Sequence, residues 1–154
     1  MAAYSFITRW HVEAPIEQVW EPIFRCERWP EWWRGVESVV ELDPGDADRV
    51  GSLWRYTWKS VLPYRLDFEM RVTGVEPPVY LDGVADGELA GRGEWRLFRS
   101  KSGTGTLVRY EWNVVTTSAW MNALAPLAAP VFAWSHDVVM RQGGEGLSRL
   151  LGRP

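Results

Sequence analysis

Hydrophobic and polar positions alternate along several stretches of this chain. In residues 4–12, Phe6, Thr8, Trp10 and Val12 alternate with Ile7, Arg9 and His11. A period of two marks a strand with one buried face, and it puts His11 on the wet side. The period then changes. Ile16, Val19, Trp20 and Ile23 recur at helical spacing after Ala14-Pro15. Proline suits a first helical turn, and Glu17 suits the positive helix end. Pro22 is expected to kink this helix or end it early. A second short helical turn is predicted over residues 30–34, in a cluster that carries Trp29, Trp32 and Trp33.

A run of strands follows. One is predicted over residues 36–42, before a loop, DPGDADRVG, dense in turn residues. Trp54, Tyr56 and Trp58 alternate with Arg55, Thr57 and Lys59. Tyr64, Leu66, Phe68, Met70 and Val72 alternate with Arg65, Asp67, Glu69 and Arg71, the cleanest such pattern in the chain. It describes an antiparallel strand with one apolar and one wet face. Further strands are predicted over residues 80–88 and 93–99, and a last one in which Val108, Tyr110, Trp112 and Val114 alternate with Arg109, Glu111 and Asn113. Glu88 and Glu94 are expected to flank a solvated glycine-rich hairpin.

Residues 121–151 read as helix. Pro126 and Pro130 are expected to break its first turns, so that the regular part starts near Pro130. Phe132, His136, Met140, Gly143, Leu147 and Leu150 share a stripe. The pair Gly143-Gly144 costs ~1 kcal/mol per glycine in a helix interior, which suggests close approach to the sheet or a kink. The order predicts an α+β fold: a curved antiparallel sheet of about six to seven strands, two short helices after the first strand, and a long C-terminal helix as cover. Arg65, Asp67, Glu69, Arg71, Arg109 and Glu111 are expected on its outer face.

Composition narrows the picture. The 154 residues fit one domain, 1–154, large enough to bury a substantial core. Seventeen basic and 20 acidic residues, net charge -3, make no basic face for nucleic acid and no polybasic patch for anionic lipid. One cysteine, Cys26, permits no internal disulfide and no cysteine-type metal site, which fits a cytoplasmic protein. The N-terminus lacks the pattern of a secretory signal. The uncharged stretch 120–134 is too short, and too interrupted by proline, for a stable membrane span. Eleven tryptophans stand out. Each can bury ~150–250 Å² but also needs a partner for its indole N–H, and an aromatic-walled cavity relieves that demand.

Several motifs give the chain a family likeness. They are APIEQVW (Ala14 to Trp20), RWPEWWRGV (Arg28 to Val36) and GSLWRYTWKSVLPYRLDFE (Gly51 to Glu69), then Trp134, His136-Asp137, Met140 and Gly146-Leu147. With the element order, they resemble the helix-grip superfamily of START lipid-transfer domains and birch-pollen-allergen-like proteins (SRPBCC). Within it, the bacterial polyketide cyclase/dehydrase-like subgroup is most similar. The resemblance implies a helix-grip fold around a cavity for an apolar or polycyclic ligand. It implies no single reaction, because the fold hosts carriers, cyclases, hydrolases and regulators.

The candidate ligand-binding residues are Trp33, Trp54, Tyr56, Trp58, Phe68, Trp95, Tyr110, Trp112, His136 and Met140. The competing expectation is an ordinary aromatic core. His136 could act as a general acid or base, but neighbours on a helix point ~100° apart, so Asp137 is not placed to orient it. Tyr56 and Tyr110 could bond a ligand carbonyl. Trp29, Trp32 and Trp33, with Arg34, could gate the cavity, dock a partner or pack on the sheet rim. Cys26 has no histidine near it in sequence. No zinc, phosphate or nucleotide pattern is present, so no metal or cofactor is expected. The leading expectation is a binder of an apolar or aromatic small molecule, lipid- or polyketide-like, as monomer or homodimer. The alternatives are a polyketide cyclase/dehydrase-type enzyme and a partner-binding regulatory module.

Overall fold

A computed structural model describes residues 3–59 and 65–152. The chain runs β1 (Ala3–Val12), α1 (Ile16–Phe24), a 3₁₀ turn (Cys26–Arg28) and α2 (Trp29–Trp32). Six strands follow: β2 (Val36–Asp43), β3 (Leu53–Lys59), β4 (Arg65–Glu76), β5 (Tyr80–Gly87), β6 (Leu89–Arg99) and β7 (Thr106–Thr116). The chain ends in α3 (Ala119–Leu150). The strands form one antiparallel sheet in the order β1-β7-β6-β5-β4-β3-β2. The expected helix-grip architecture is present: a curved sheet, two short helices after β1, and a long helical cover.

Alternation decides which side chains turn inward. On β7, Val108, Trp112 and Val114 are buried, and Asn113 between them is exposed. On β1, Trp10 and Val12 are buried while Arg9 and His11 are exposed. Arg65, Asp67 and Arg71 lie on the outer face of β4, as expected. Tyr64 falls outside the described residues.

Pro22 lies inside α1 rather than at its last residue, and the helix stops two residues later, at Phe24, in line with the early end expected. Other expectations need correction. The second short helix starts at Trp29 and stops at Trp32, where Trp33 turns extended. Residues 91–93 form no hairpin. They lie inside β6, where Gly91 pairs with Val114 and Gly93 with Trp112. A Cβ at Gly91 would strike the Asn113 carbonyl, so the glycines let two strands approach closely. The turn lies earlier, at Gly87 (φ +125°) and Glu88. Pro126 and Pro130 do not break α3, which runs unbroken for 32 residues. Four residues apart, both prolines sit on one exposed face, where water can substitute for the missing amide donors. Leu150, placed on the inner stripe, is 50% exposed, while Leu147 before it is buried and Leu151 after it packs against the core.

The glycines of α3 fix its seat. A Cβ at Gly143 would come within 2.5 Å of the Trp33 ring, and one at Gly144 within 2.9 Å of the Trp10 ring. A Cβ at Gly146 would collide with the Trp32 carbonyl. The bare backbone lets both indoles reach the helix itself. Trp10 Nε1 donates to the Met140 carbonyl (3.0 Å) and Trp33 Nε1 to the Val139 carbonyl (2.9 Å). Two tryptophans from different elements thus hold α3 against the sheet and satisfy their own N–H groups.

Candidate functional site

Between α3 and the concave face of the sheet lies a cavity of about 140 Å³. Strands β3, β4, β6 and β7 supply Trp58, Phe68, Trp95, Tyr110 and Trp112 to its wall, and α3 supplies His136 and Met140. Trp33 closes the end next to α2. Eight of the ten candidate binding residues therefore meet around one space.

Trp54 and Tyr56 do not line this cavity. They belong to a second, smaller one of about 60 Å³, with Phe24, Cys26, Arg49 and Asp82. Trp29, Trp58, Phe68, Trp95 and Tyr110 border both, so a layer of rings separates the two spaces. The layer is closely packed: Trp95 and Tyr110 have ring centroids 4.2 Å apart with planes tilted by 31°. Alternation placed Trp54, Tyr56 and Trp58 on one face correctly. It could not show that Trp54 and Tyr56 border only the smaller space while Trp58 borders both.

The structure also brings in residues that the sequence reading passed over. Tyr4 and Phe6 enter from β1, Phe132 and Ser135 from α3, and Leu66 and Leu89 from the sheet. Phe6 and Phe132 sat on the inward stripes already identified, so the signal for both was present. Tyr4 is in phase with Phe6, Thr8 and Trp10 and extends the same face.

The polar groups are few and uncharged. None of the cavity-lining residues is Asp, Glu, Lys or Arg. Burial pushes the His136 pKa down to about 4, only partly opposed by Asp137, so the imidazole is neutral at pH 7. Its Nδ1 stands 3.9 Å from Asp137, beyond hydrogen-bond range, and the Asp137 carboxylate is largely exposed. Adjacent helical positions diverge, and no His–Asp dyad forms. Burial raises Tyr110, and burial followed by the influence of Cys26 raises Tyr56, so neither phenol ionises near neutrality. Burial also pushes the Cys26 thiol up to about 12. It is an unreactive thiol in a core position.

The second compartment is more polar at its rim. Arg49 makes a two-point ion pair with Glu27, and its guanidinium lies 5.2 Å from the rings of both Phe24 and Trp54. Asp82 accepts from Thr73 (2.6 Å), Tyr80 (2.5 Å) and Arg92 (2.8 Å), which hold its carboxyl below the usual range against the cost of burial. These groups satisfy one another and leave little unspent polarity for chemistry.

The tryptophan-rich turn is buried: Trp29 is 6%, Trp32 8% and Trp33 1% exposed. It packs rather than offering a docking surface. The exposed apolar side chains lie elsewhere, with Leu127, Val131 and Trp134 on the outer face of α3. Among the described residues, no three His, Cys, Asp or Glu gather to hold a metal ion, and no helix is long and apolar enough to cross a membrane.

Comparison with known proteins follows the same lines. The pattern of the family described as "Polyketide cyclase / dehydrase and lipid transport" matches residues 12–134. The aromatase/cyclase ZhuI from Streptomyces sp. R1128 superposes with a TM-score of 0.80 at 16% identity, over 99% of this chain and 95% of that one. A START superfamily protein from Mycobacterium smegmatis gives 0.74 at 12% identity, over 94% of each chain. The di-domain aromatase/cyclase BexL, from the BE-7585A biosynthetic pathway, gives 0.72 at 15% identity. There the match covers 96% of this chain but 49% of BexL. At these identities the likeness is one of fold. No curated protein matches the chain in sequence.

Proposed function

The chain belongs to the polyketide cyclase / dehydrase and lipid transport family, and from that premise we propose that it binds an apolar or aromatic small molecule, lipid- or polyketide-like, in the cavity beneath α3. The observation that carries this reading is the cavity itself: about 140 Å³ walled by Trp33, Trp58, Phe68, Trp95, Tyr110 and Trp112, with no charged side chain. Ligand sites are typically concave and apolar, with a few placed polar groups. A dry apolar cavity of ~150 Å³ suffices to hold benzene. In this reading residues 1–154 act as one domain in the cytoplasm, without nucleic acid, cofactor or membrane insertion.

The second reading is a cyclase or dehydratase acting on such a ligand. Its support is that Tyr110 and His136 share the cavity wall. A neutral imidazole can accept a proton, and the aromatic walls would hold a substrate in one orientation. Against strong acid–base work stand the unpaired His136 and the high pKa of both tyrosines.

Native mass spectrometry of the purified protein tests the binding reading directly. A copurified small molecule, lost on Trp95→Ala, is expected. If neither a copurified species nor any added naphthalene-type probe binds, the reading fails. Turnover of a bound ligand that disappears in His136→Phe, with binding kept, would favour the enzyme.

A further inference from the structure

Helix α3 carries few charges, and they fall in one line. Between Ala119 and Leu150 its charged residues are Asp137, Arg141, Glu145 and Arg149, four positions apart and alternating in sign. A spacing of four keeps side chains on one helix face. The line covers about 18 Å of helix axis. All four residues are exposed. They border an open groove of about 780 Å³ whose other wall runs from Ile7 to His11 on β1.

Two features mark this groove as a place where another chain fits. The first is the unspent charge of the stripe. Within α3, among the described residues, only Arg141 and Glu145 approach as an ion pair, at 3.9 Å, with side chains 68% and 59% exposed. Their order, arginine before glutamate, is the weaker one for stabilising a helix. The Asp137 carboxylate is 78% exposed, and the imidazole beside it is neutral. The second feature is the free edge of β1. This edge strand runs ten residues in unbroken register with β7. The opposite edge, β2, is interrupted by two register shifts and carries Glu37, Glu41 and Asp43. Irregularities and charges of that kind keep an edge from pairing with another chain. β1 has no register shift and no proline, and its Ile7 stands 53% exposed on the groove wall.

We propose that this groove is the two-fold contact of a homodimer, in which the charge stripe of α3 meets its own copy running antiparallel. The alternating stripe is self-complementary. About a centre midway between Arg141 and Glu145, Arg141 faces the partner's Glu145 and Asp137 faces the partner's Arg149. The symmetry repeats both contacts, so four opposite-sign pairs form along the stripe. A copy in parallel register would set like charge on like. A nucleic acid, or a uniformly acidic or basic peptide, would meet its own sign at two of the four positions. A second copy is therefore the partner that the charges fit. None of the four charged residues lines the ligand cavity, so this inference is independent of the binding reading.

Analytical ultracentrifugation of the full chain tests the contact. At about 100 µM and low salt the mass of two chains is expected, and it should fall toward that of one chain in about 0.5 M salt, which screens exposed charges. Arg141→Glu sets glutamate against glutamate at two of the four contacts and is expected to weaken the dimer at least about tenfold. Glu145→Arg creates the same two clashes with the opposite sign, and it decides the matter if Arg141→Glu does not fold. The double variant Arg141→Glu/Glu145→Arg restores all four contacts, and its dimerisation should return to within about threefold of the unaltered protein. Thermal denaturation separates the contact from a role within α3, since an intrahelical pair would change Tm in these variants and leave the mass alone. A single-chain mass at every concentration in low salt, a dimer that salt or Arg141→Glu leaves intact, or a folded double variant that stays as monomeric as the single ones overturns the proposal.

Discussion

The His136 imidazole lies flat on the Phe6 ring, centroids 4.0 Å apart and planes 14° from parallel. This contact ties the middle of α3 to the start of the sheet. It also removes the imidazole from water, which is why its pKa falls from 6.5 to about 4.

The contact makes stability depend on pH. Above pH 6.5 the imidazole is neutral in both the folded and unfolded chains. Between pH 6.5 and 4 the unfolded chain takes up a proton that the folded one refuses, so stability falls as pH falls through that window. Below pH 4 the loss is complete. The shift corresponds to on the order of 3 kcal/mol. Urea denaturation at pH 7 and pH 4 should show a fall larger by about that amount in the native protein than in His136→Phe, which keeps the stack and removes the titration.

Gly146 faces the Trp32 carbonyl with no room for a side chain. Alanine would gain ~1 kcal/mol of helix propensity but must displace backbone rather than a flexible side chain. A net loss of about 2 kcal/mol is expected for Gly146→Ala, or ~4–8 °C in Tm. No change in Tm would mean that α3 sits farther from α2 than described.

The larger cavity can be filled from its wall. Val114 is 4% exposed and lines it from β7. Val114→Phe should occupy the space, lowering probe affinity by at least tenfold while changing stability by less than about 2 kcal/mol, because the new ring enters a void. A large loss of stability with unchanged binding would show that the ring points elsewhere.

Cys26 should be inert. Its thiol is buried and held near pKa 12. Labelling with a disulfide reagent at pH 8 should proceed only as fast as the protein opens, and at full speed in denaturant. Prompt labelling of the folded protein would show that the smaller compartment is open.

Much of the fold was legible because period two and period 3.6 are local signals. The inward faces of β1, β4 and β7 follow from alternation alone, and the stripe from Phe132 to Leu147 follows from helical spacing. The failures also have local causes. Gly91 and Gly93 read as a turn because glycine permits turns, but here it permits close strand contact. Pro126 and Pro130 read as breaks, but their shared exposed face lets α3 continue past them.

The site was partly legible for the same reason. Period two assigned Trp58, Phe68, Trp95, Tyr110 and Trp112 to a concave face, and they do line one cavity. The separation of Trp54 and Tyr56 from that cavity was not readable, since it depends on which rings meet across the sheet. Nor was the lack of a hydrogen-bond partner at Trp58 Nε1 and His136 Nδ1. A sequence shows that an indole or an imidazole has a polar atom, but not whether a carbonyl stands 3 Å away.

By itself, the sequence determined the order of elements and the inward faces of β1, β3, β4 and β7, because neighbouring residues alone set backbone period and side-chain phase, and its motifs carried the family likeness. Only the tertiary structure decided that the rings divide into two compartments, that Gly143, Gly144 and Gly146 seat α3 against tryptophans, and that the charges of α3 border the free edge of β1. Those outcomes depend on contacts between residues a hundred or more positions apart, such as Trp33 with Val139 and Trp10 with Met140. Such contacts are set by packing, which no local pattern encodes.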